Sequence, residues 1–268
     1  MSLETGLYPN IYTMKVTILQ RDIVWANPTE NRDRITRVLD QYPDTELFVL
    51  PEMFSTGFCT RPQGIAEPAA SDTLAWMKTQ SEQRNCALAG SVAIEVEGHF
   101  YNRFYFIRPN EPTVHYDKHH LFTYGGEHKR FDAGNERIVV TYRGIRFLLQ
   151  ICYDLRFPVF SRNLNDYDVA LYVASWPTPR VAAWRALLVA RAIENQCYVI
   201  GVNRVGTDIA CDYCGGSAVI DAYGNYLAQC PDHTESEASA VINLDELAQF
   251  RTKFPVLNDT DTFTLTLK

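Results

Sequence analysis

Residues 145–157 read IRFLLQICYDLRF, an almost unbroken apolar run that opens into a thiol, a phenol, a carboxylate and a guanidinium. Apolar residues without alternation mark a strand buried on both faces, so Cys152 stands at the turn that leaves a buried strand. α/β enzymes carry nucleophiles at such turns. There the side chain stands clear of the sheet, and the following backbone N–H groups, beginning with that of Tyr153, can bind an oxyanion. A free cysteine also packs well in a core, and only suitable partners separate the two readings.

Two further groups occupy comparable places. Glu52 directly follows the apolar run 47–50 and Pro51, and Lys118 follows the short strand expected at 113–116. A thiol with a pKa near ~8.5 is mostly protonated at neutral pH, so it needs a base to take its proton and a cation to favour the anion. Glu52 has the chemistry of that base. A buried Lys118 ammonium, with the Tyr153 N–H, has the chemistry to stabilise the negative charge that develops on an attacked amide oxygen. Taken alone, either residue would be an ordinary surface charge. His115, His119, His120 and His128, in or beside the Lys118 loop, offer the competing arrangement of a Cys-His pair.

The elements that must hold these groups are legible in outline. From Met14 the run KVTILQ alternates as a strand, and Asn27 then caps a helix with Pro28 at its first position and Ile35, Val38, Leu39 and Tyr42 as its buried stripe. Ser71 or Asp72 caps a second helix with Leu74 and Met77 facing inward. Strands at 87–94 and 100–107 flank the Glu97-Gly98 turn, and strands at 138–142 and 145–151 flank Arg143-Gly144. Residues 117–134 have no consistent period and read as a long ordered loop of functional character. A buried strand at 167–175 leads through Trp176 to Arg180 into a helix at 181–195. Trp184, Leu187, Leu188 and Arg191 share one face of that helix, Arg191 as a snorkelling or paired edge residue. Strands at 198–202, 215–221, 226–229 and 238–244 and a short helix near 245–250 complete the chain.

Without a repeat or a linker, residues 14–268 are expected to form one domain, with 1–13 as an N-terminal extension that is partly vector-derived. The 268 residues are 46% hydrophobic and 12% aromatic, ample for a sizeable core. A net charge of −7 and the lack of a basic cluster argue against nucleic-acid binding. Apolar runs fall far short of the ~18 residues that cross a bilayer, so no membrane partner is expected. Seven cysteines without a framework point to a reducing cytoplasm and no disulfides. Cys211-x-x-Cys214 and Cys230-x-x-His233 have the outline of a zinc ribbon. The hairpin turning at 222–225 needs no metal to hold it, and no metal is expected.

Three motifs, PEMF at 51–54, DKHHLF at 117–122 and ICYDLRFP at 151–158, resemble those of the carbon-nitrogen hydrolase family, the nitrilase superfamily, and the likeness spans roughly residues 14–244. The resemblance implies a Glu-Lys-Cys triad of Glu52, Lys118 and Cys152. It also implies a second glutamate, Glu127 in YGGEH, that positions the lysine and the substrate. The implied fold is α/β, a four-layer α-β-β-α sandwich of two mixed sheets, in agreement with the near-continuous apolar strands. The implied chemistry is hydrolysis of a small-molecule amide through a cysteinyl thioester, without a cofactor. Pairing as a homodimer or larger homo-oligomer, through helices near the site, is implied as well. GGEHKRF, CYDLRFP and SWPTPR resemble the ω-amidase branch, which hydrolyses the side-chain amides of 2-oxoglutaramate and 2-oxosuccinamate. Such substrates end in a carboxylate, whose burial requires a fixed cation or several N–H donors. Arg156 and Arg180 are placed to supply one, and Trp176 and Tyr153 join them as candidate substrate-binding residues. Nitrile or N-carbamoyl hydrolysis, and a non-catalytic ligand- or zinc-binding module, are the alternatives.

Overall fold

The computed structural model of the protein describes residues 12–267, so the expected N-terminal extension lies outside the described residues apart from Tyr12 and Thr13. The first half of the chain supplies β1 (Thr13–Gln20), α1 (Pro28–Leu39), β2 (Leu47–Val49), β3 (Glu67–Pro68), α2 (Asp72–Arg84), β4 (Ala87–Val96), β5 (His99–Ile107) and β6 (Val114–Asp117). The second half supplies β7 (Val139–Tyr142), β8 (Ile145–Ile151), β9 (Val169–Ala174), α3 (Val181–Glu194), β10 (Tyr198–Asn203), β11 (Val205–Thr207), β12 (Asp212–Cys214), β13 (Ala218–Ile220), β14 (Tyr226–Gln229), β15 (Ser236–Asn243) and α4 (Leu244–Lys253).

Local chemistry explains most boundaries. The Asn27 side chain accepts from the Glu30 N–H at 3.2 Å, with Pro28 opening α1 where a missing N–H costs nothing. Ser71, not Asp72, caps α2, accepting from the Leu74 N–H at 3.1 Å, and Asn85 ends it in the left-handed region. α4 outruns the short helix read from sequence, and its start is fixed by the Asn243 side chain, which accepts from the N–H groups of both Asp245 and Glu246. β1 begins one residue earlier than expected, at Thr13. The short strands β3, β11 and β12 are too brief to show a period. Glu67 in β3 is buried and accepts from Ser55 Oγ at 2.6 Å and Thr73 Oγ1 at 2.9 Å.

Seven strands form one sheet, with β15-β1-β2-β4-β5-β6 in order and β3 beside β4, and six form the other, β14-β13-β10-β9-β8-β7. Both are mixed. β1, β2 and β4 run parallel, as do β8, β9 and β10, and short β3 is parallel to β4, while β15, β5, β13 and β7 pair antiparallel with them. Alternate side chains divide the core between layers. Val16, Ile18, Leu47 and Val49 of the first sheet meet Phe147, Leu149, Leu171 and Ile200 of the second in one buried cluster. The opposite faces carry Leu19, Phe48, Leu88 and Val92 against α1 and α2, and Leu148, Ala170, Tyr172 and Val199 against α3. The result is the expected four-layer α-β-β-α sandwich, and the unbroken apolar strands follow from burial on both faces.

Two glycines allow the chain to close around the site. A Cβ at Gly90 in β4 would lie 2.8 Å from Leu50 Cβ and 3.0 Å from the Phe54 ring, which bracket the Glu52 turn. A Cβ at Gly134 would lie 2.1 Å from the Asp117 carbonyl oxygen, where the loop returns to donate its N–H to the Lys118 carbonyl at 3.0 Å.

Candidate active site

Three strand ends and one loop converge between the sheets. Glu52 leaves the first sheet beyond β2, Lys118 follows β6, and Cys152 follows β8 in a short 3-10 turn, Cys152–Arg156. The long loop 117–134 contributes Glu127, from a 3-10 turn at Glu127–Lys129. Because β8 and β9 are parallel, the end of β9 opens on the same place and presents the Ser175 N–H. That N–H donates to Glu52 Oε2 at 2.7 Å, joining one sheet to the other.

Glu52, Lys118 and Glu127 are buried, and their contacts are short. Lys118 Nζ donates to Glu52 Oε1 at 2.9 Å and to Glu127 Oε2 and Oε1 at 2.9 and 3.2 Å. Glu127 Oε2 also accepts from the Phe122 N–H at 2.6 Å, which fastens the loop to the carboxylate. The Asn102 side chain in β5 donates to both glutamates, a contact that no sequence motif signalled.

Burial disfavours the charge on Lys118, but the two adjoining carboxylates outweigh it and hold the ammonium protonated. Burial pushes the Glu127 carboxyl up, against the pull of Lys118. The Cys152 thiol is pushed well above its usual range, first by burial and then by the Glu52 charge, while Lys118 and the Ser175 N–H pull it down. Burial therefore favours the neutral thiol of Cys152 over the thiolate, an arrangement in which the proton would leave to a base as the sulfur attacks.

The turn that carries Cys152 is strained and held. Cys152 has φ +46°, in the left-handed region that residues other than glycine rarely occupy, and Met53, next to Glu52, has φ +45°. Asp154 is buried and supplies the restraint: Oδ2 accepts from the Ile151 N–H and the Tyr116 hydroxyl, each at 2.8 Å. Its Oδ1 accepts from the His120 N–H at 3.0 Å and contacts His120 Nδ1 at 2.8 Å. The Cys152 turn and the lysine loop are thus tied to one carboxylate.

The histidines serve that framework. His120 stacks on Phe157 with ring centroids 3.8 Å apart, and His119 stacks on Phe160 at 4.8 Å with its Nδ1 on the Gly134 carbonyl. His128 is exposed, and no histidine lines the cavity among the described residues. The Cys-His arrangement is not the one the fold assembles.

A cavity of about 740 Å³ opens above Cys152, lined by Lys118, Phe122, Tyr153, Arg156, Trp176 and Arg180 among others. All four candidate substrate-binding residues therefore face one space. Arg156 lies over the Trp176 ring at 4.8 Å, and Arg180 over Phe122 at 5.5 Å and Tyr124 at 5.9 Å. Neither guanidinium pairs with a carboxylate among the described residues. Asp208, on the same wall, already accepts from the Tyr213 hydroxyl at 2.8 Å. Sequence reasoning missed Arg61 at the rim and the pocket-lining Cys59 and Cys211. Arg191, read as a snorkelling or paired residue, is buried and paired, donating to the Leu155 carbonyl at 2.6 Å and to Glu194 at 2.8 Å. Cys211, Cys214, Cys230 and His233 do not gather into a metal-binding group, and no set of three or more such ligands exists among the described residues. No helix there is long and apolar enough to cross a membrane.

Comparison with known proteins agrees with this geometry. The carbon-nitrogen hydrolase family model matches residues 15–252. The chain is 45% identical over 253 residues to the omega-amidase YafV of Escherichia coli, covering 94% of this chain and 98% of that protein. It is 33% identical over 254 residues to a 2-oxoglutaramate amidase of Bacillus subtilis, covering 92% and 98%. A solved CN-hydrolase superfamily protein of Xanthomonas campestris, with an arsenic adduct in its active site, superimposes with a TM-score of 0.92 at 38% identity, over 95% of this chain and 100% of that one. Family pattern, near-full-length relatives and fold coincide over the same strands, and the chain belongs to the carbon-nitrogen hydrolase family.

Proposed function

We propose that this enzyme hydrolyses the terminal amide of short ω-amido acids, of the 2-oxoglutaramate or 2-oxosuccinamate type, to a carboxylate and ammonia. The observation that carries the reading is a thiol, a buried carboxylate and a buried ammonium at one end of a cavity that also holds two arginines without acidic partners. The relatives named as an omega-amidase and a 2-oxoglutaramate amidase support it.

In this mechanism Glu52 takes the Cys152 proton as Sγ attacks the amide carbon. The oxyanion forms against Lys118 Nζ and the Tyr153 N–H. Glu127 keeps Lys118 in place. Collapse breaks the C–N bond, the proton on Glu52 passes to the departing nitrogen, and ammonia leaves a thioester on Cys152. Glu52 then deprotonates a water that attacks the thioester, and the thiol is restored as the acid departs. Amide and water balance the reaction.

Specificity is assigned to Arg156 and Arg180, with Trp176 and Tyr153 as apolar walls. Removing a charge-assisted bidentate contact should cost about 2 to 4 kcal/mol in kcat/KM for an acidic ω-amide. A neutral amide of equal length should lose far less. Paired measurements on Arg156→Ala and Arg180→Ala test this, and equal losses on both substrates in both variants would show that neither arginine reads the carboxylate.

The working form is proposed to be a homodimer or larger homo-oligomer. Val159 and Leu164, in the segment after Cys152, and Ile193, near the end of α3, are exposed apolar side chains that support pairing there. Light scattering should give at least twice the 30.6 kDa chain mass, and a monomer at micromolar concentration would refute it.

A further inference from the structure

Asn102 lies within β5, fully buried, on the face that looks toward the glutamates. One amide nitrogen, Nδ2, donates to Glu52 Oε1 at 2.8 Å and to Glu127 Oε1 at 3.2 Å. Lys118 Nζ donates to the same two oxygens, at 2.9 and 3.2 Å. Two carboxylate oxygens and two nitrogens thus form a closed square. The backbone repeats the link, since the Asn102 carbonyl accepts the Lys118 N–H at 3.0 Å.

The orientation of the amide is dictated by its partners. Turned over, its carbonyl oxygen would face two carboxylate oxygens, with no proton between them. As it stands, Oδ1 is buried and accepts from no group among the described residues. The contacts to the two carboxylates are thus made by the NH2 group.

We propose that Asn102 is a positioning residue for amide hydrolysis, holding Glu52 and Glu127 apart around Lys118 and aiming Glu52 at the Cys152 thiol. The proposal rests on the reading of Glu52 as the base. Lys118 alone could approach either carboxylate, and a second donor fixed to an inner strand removes that freedom. With Oε1 held by Asn102 and Lys118, the other Glu52 oxygen stays on the Ser175 N–H. A donor to the charged form also favours that form, so losing it makes the base harder to deprotonate. The titratable groups facing Asn102 are Glu52, Lys118, Glu127 and, beyond Glu52, Cys152. Its neighbour Arg103 points to the opposite face and pairs with Asp117 at 2.7 Å.

The test compares Asn102→Leu, similar in size without a donor, with Asn102→Asp, nearly isosteric with an added charge. The full-length enzyme is assayed on an acidic ω-amide. The leucine variant should lose about 10- to 100-fold in kcat with KM little changed, and the acid limb of its pH profile should move to higher pH. Asn102→Asp should shift that limb further in the same direction, because a third carboxylate makes it harder to ionise the base. A loss of activity with an unmoved acid limb would make Asn102 a packing residue and overturn the proposal. Failure of both variants to fold would do the same. Glu52→Gln, measured alongside, separates the two levels. An active Glu52→Gln refutes the base itself, whereas an inactive one beside Asn102 variants of unchanged kcat and pH profile refutes only the positioning role.

Discussion

Replacing Cys152 with alanine is expected to abolish amide turnover while leaving the fold and substrate binding intact. The thioester cannot form without Sγ, and Cys59, which lines the same cavity, is buried with its thiol pushed up to about 12. The turn should survive, because its restraint comes from Asp154, whose bonds to Ile151, Tyr116 and His120 do not involve the thiol. Thermal unfolding should therefore change little, and an acidic ω-amide should still raise the Tm of the variant. Labelling gives a second readout. Cys59, Cys86, Cys197, Cys214 and Cys230 are buried, and burial pushes Cys59 and Cys197 up to about 12 and Cys86 up to about 11. Iodoacetamide, itself a small amide, should modify Cys152 first, with half-buried Cys211 as its main competitor. Because burial favours the thiol over the thiolate, this preference should fade in Glu52→Gln. Rapid modification of Cys211 beside an inert Cys152, or residual turnover in Cys152→Ala, would displace the nucleophile assignment.

Glu52→Gln and Lys118→Met should each cost several orders of magnitude, for different reasons. The glutamine is nearly isosteric and keeps an oxygen for Lys118, but it takes a proton from neither thiol nor water. A loss of about 10³- to 10⁴-fold in kcat/KM is expected from removing a base that serves both half-reactions. Lys118→Met removes an oxyanion donor, worth about 10²- to 10³-fold, and also leaves Glu52 and Glu127 buried without their cation. The second effect is visible in stability. Burial already pushes the Glu127 carboxyl up, and without Lys118 it rises further above its unfolded value. A group shifted in that direction contributes its stability at low pH and loses it as pH rises through the folded pKa. Lys118→Met should therefore melt at lower temperature near about pH 8 than near about pH 5, with a steeper dependence than the wild type. A few-fold loss of activity together with a wild-type melting profile would mean that Lys118 is not the buried partner of these carboxylates.

Asp154 and the loop histidines show why a motif can be read correctly and still mislead about its members. DKHHLF offers two histidines beside a lysine, and histidine is the commonest base for a catalytic cysteine. In the fold, the strand direction of β6 sends Lys118 inward, while the next two residues turn onto Asp154, Phe157 and Phe160. Their role is to fasten the lysine loop to the Cys152 turn. Neighbouring positions in an irregular loop carry no period from which that division could be inferred.

The amino-acid sequence by itself determined the parts of this protein whose physics is local. Apolar runs without alternation announced strands buried on both faces, and the polar groups that ended them, Glu52 and Cys152, were thereby placed at strand ends. Asn27 and Pro28 set the start of α1, and the turns at Glu97-Gly98 and Arg143-Gly144 set two hairpins. Only the tertiary structure decided which ends meet. Ser175 and Glu52 are 123 residues apart in the chain, yet a 2.7 Å hydrogen bond joins them because the two sheets stack face to face. Asn102 was illegible for the same reason: a strand's period says which residues share a face, but not what that face will confront. Pairing and stacking depend on contacts between distant segments, and those contacts bring two carboxylates, an ammonium and an amide into one buried cluster beneath the cavity-lining thiol.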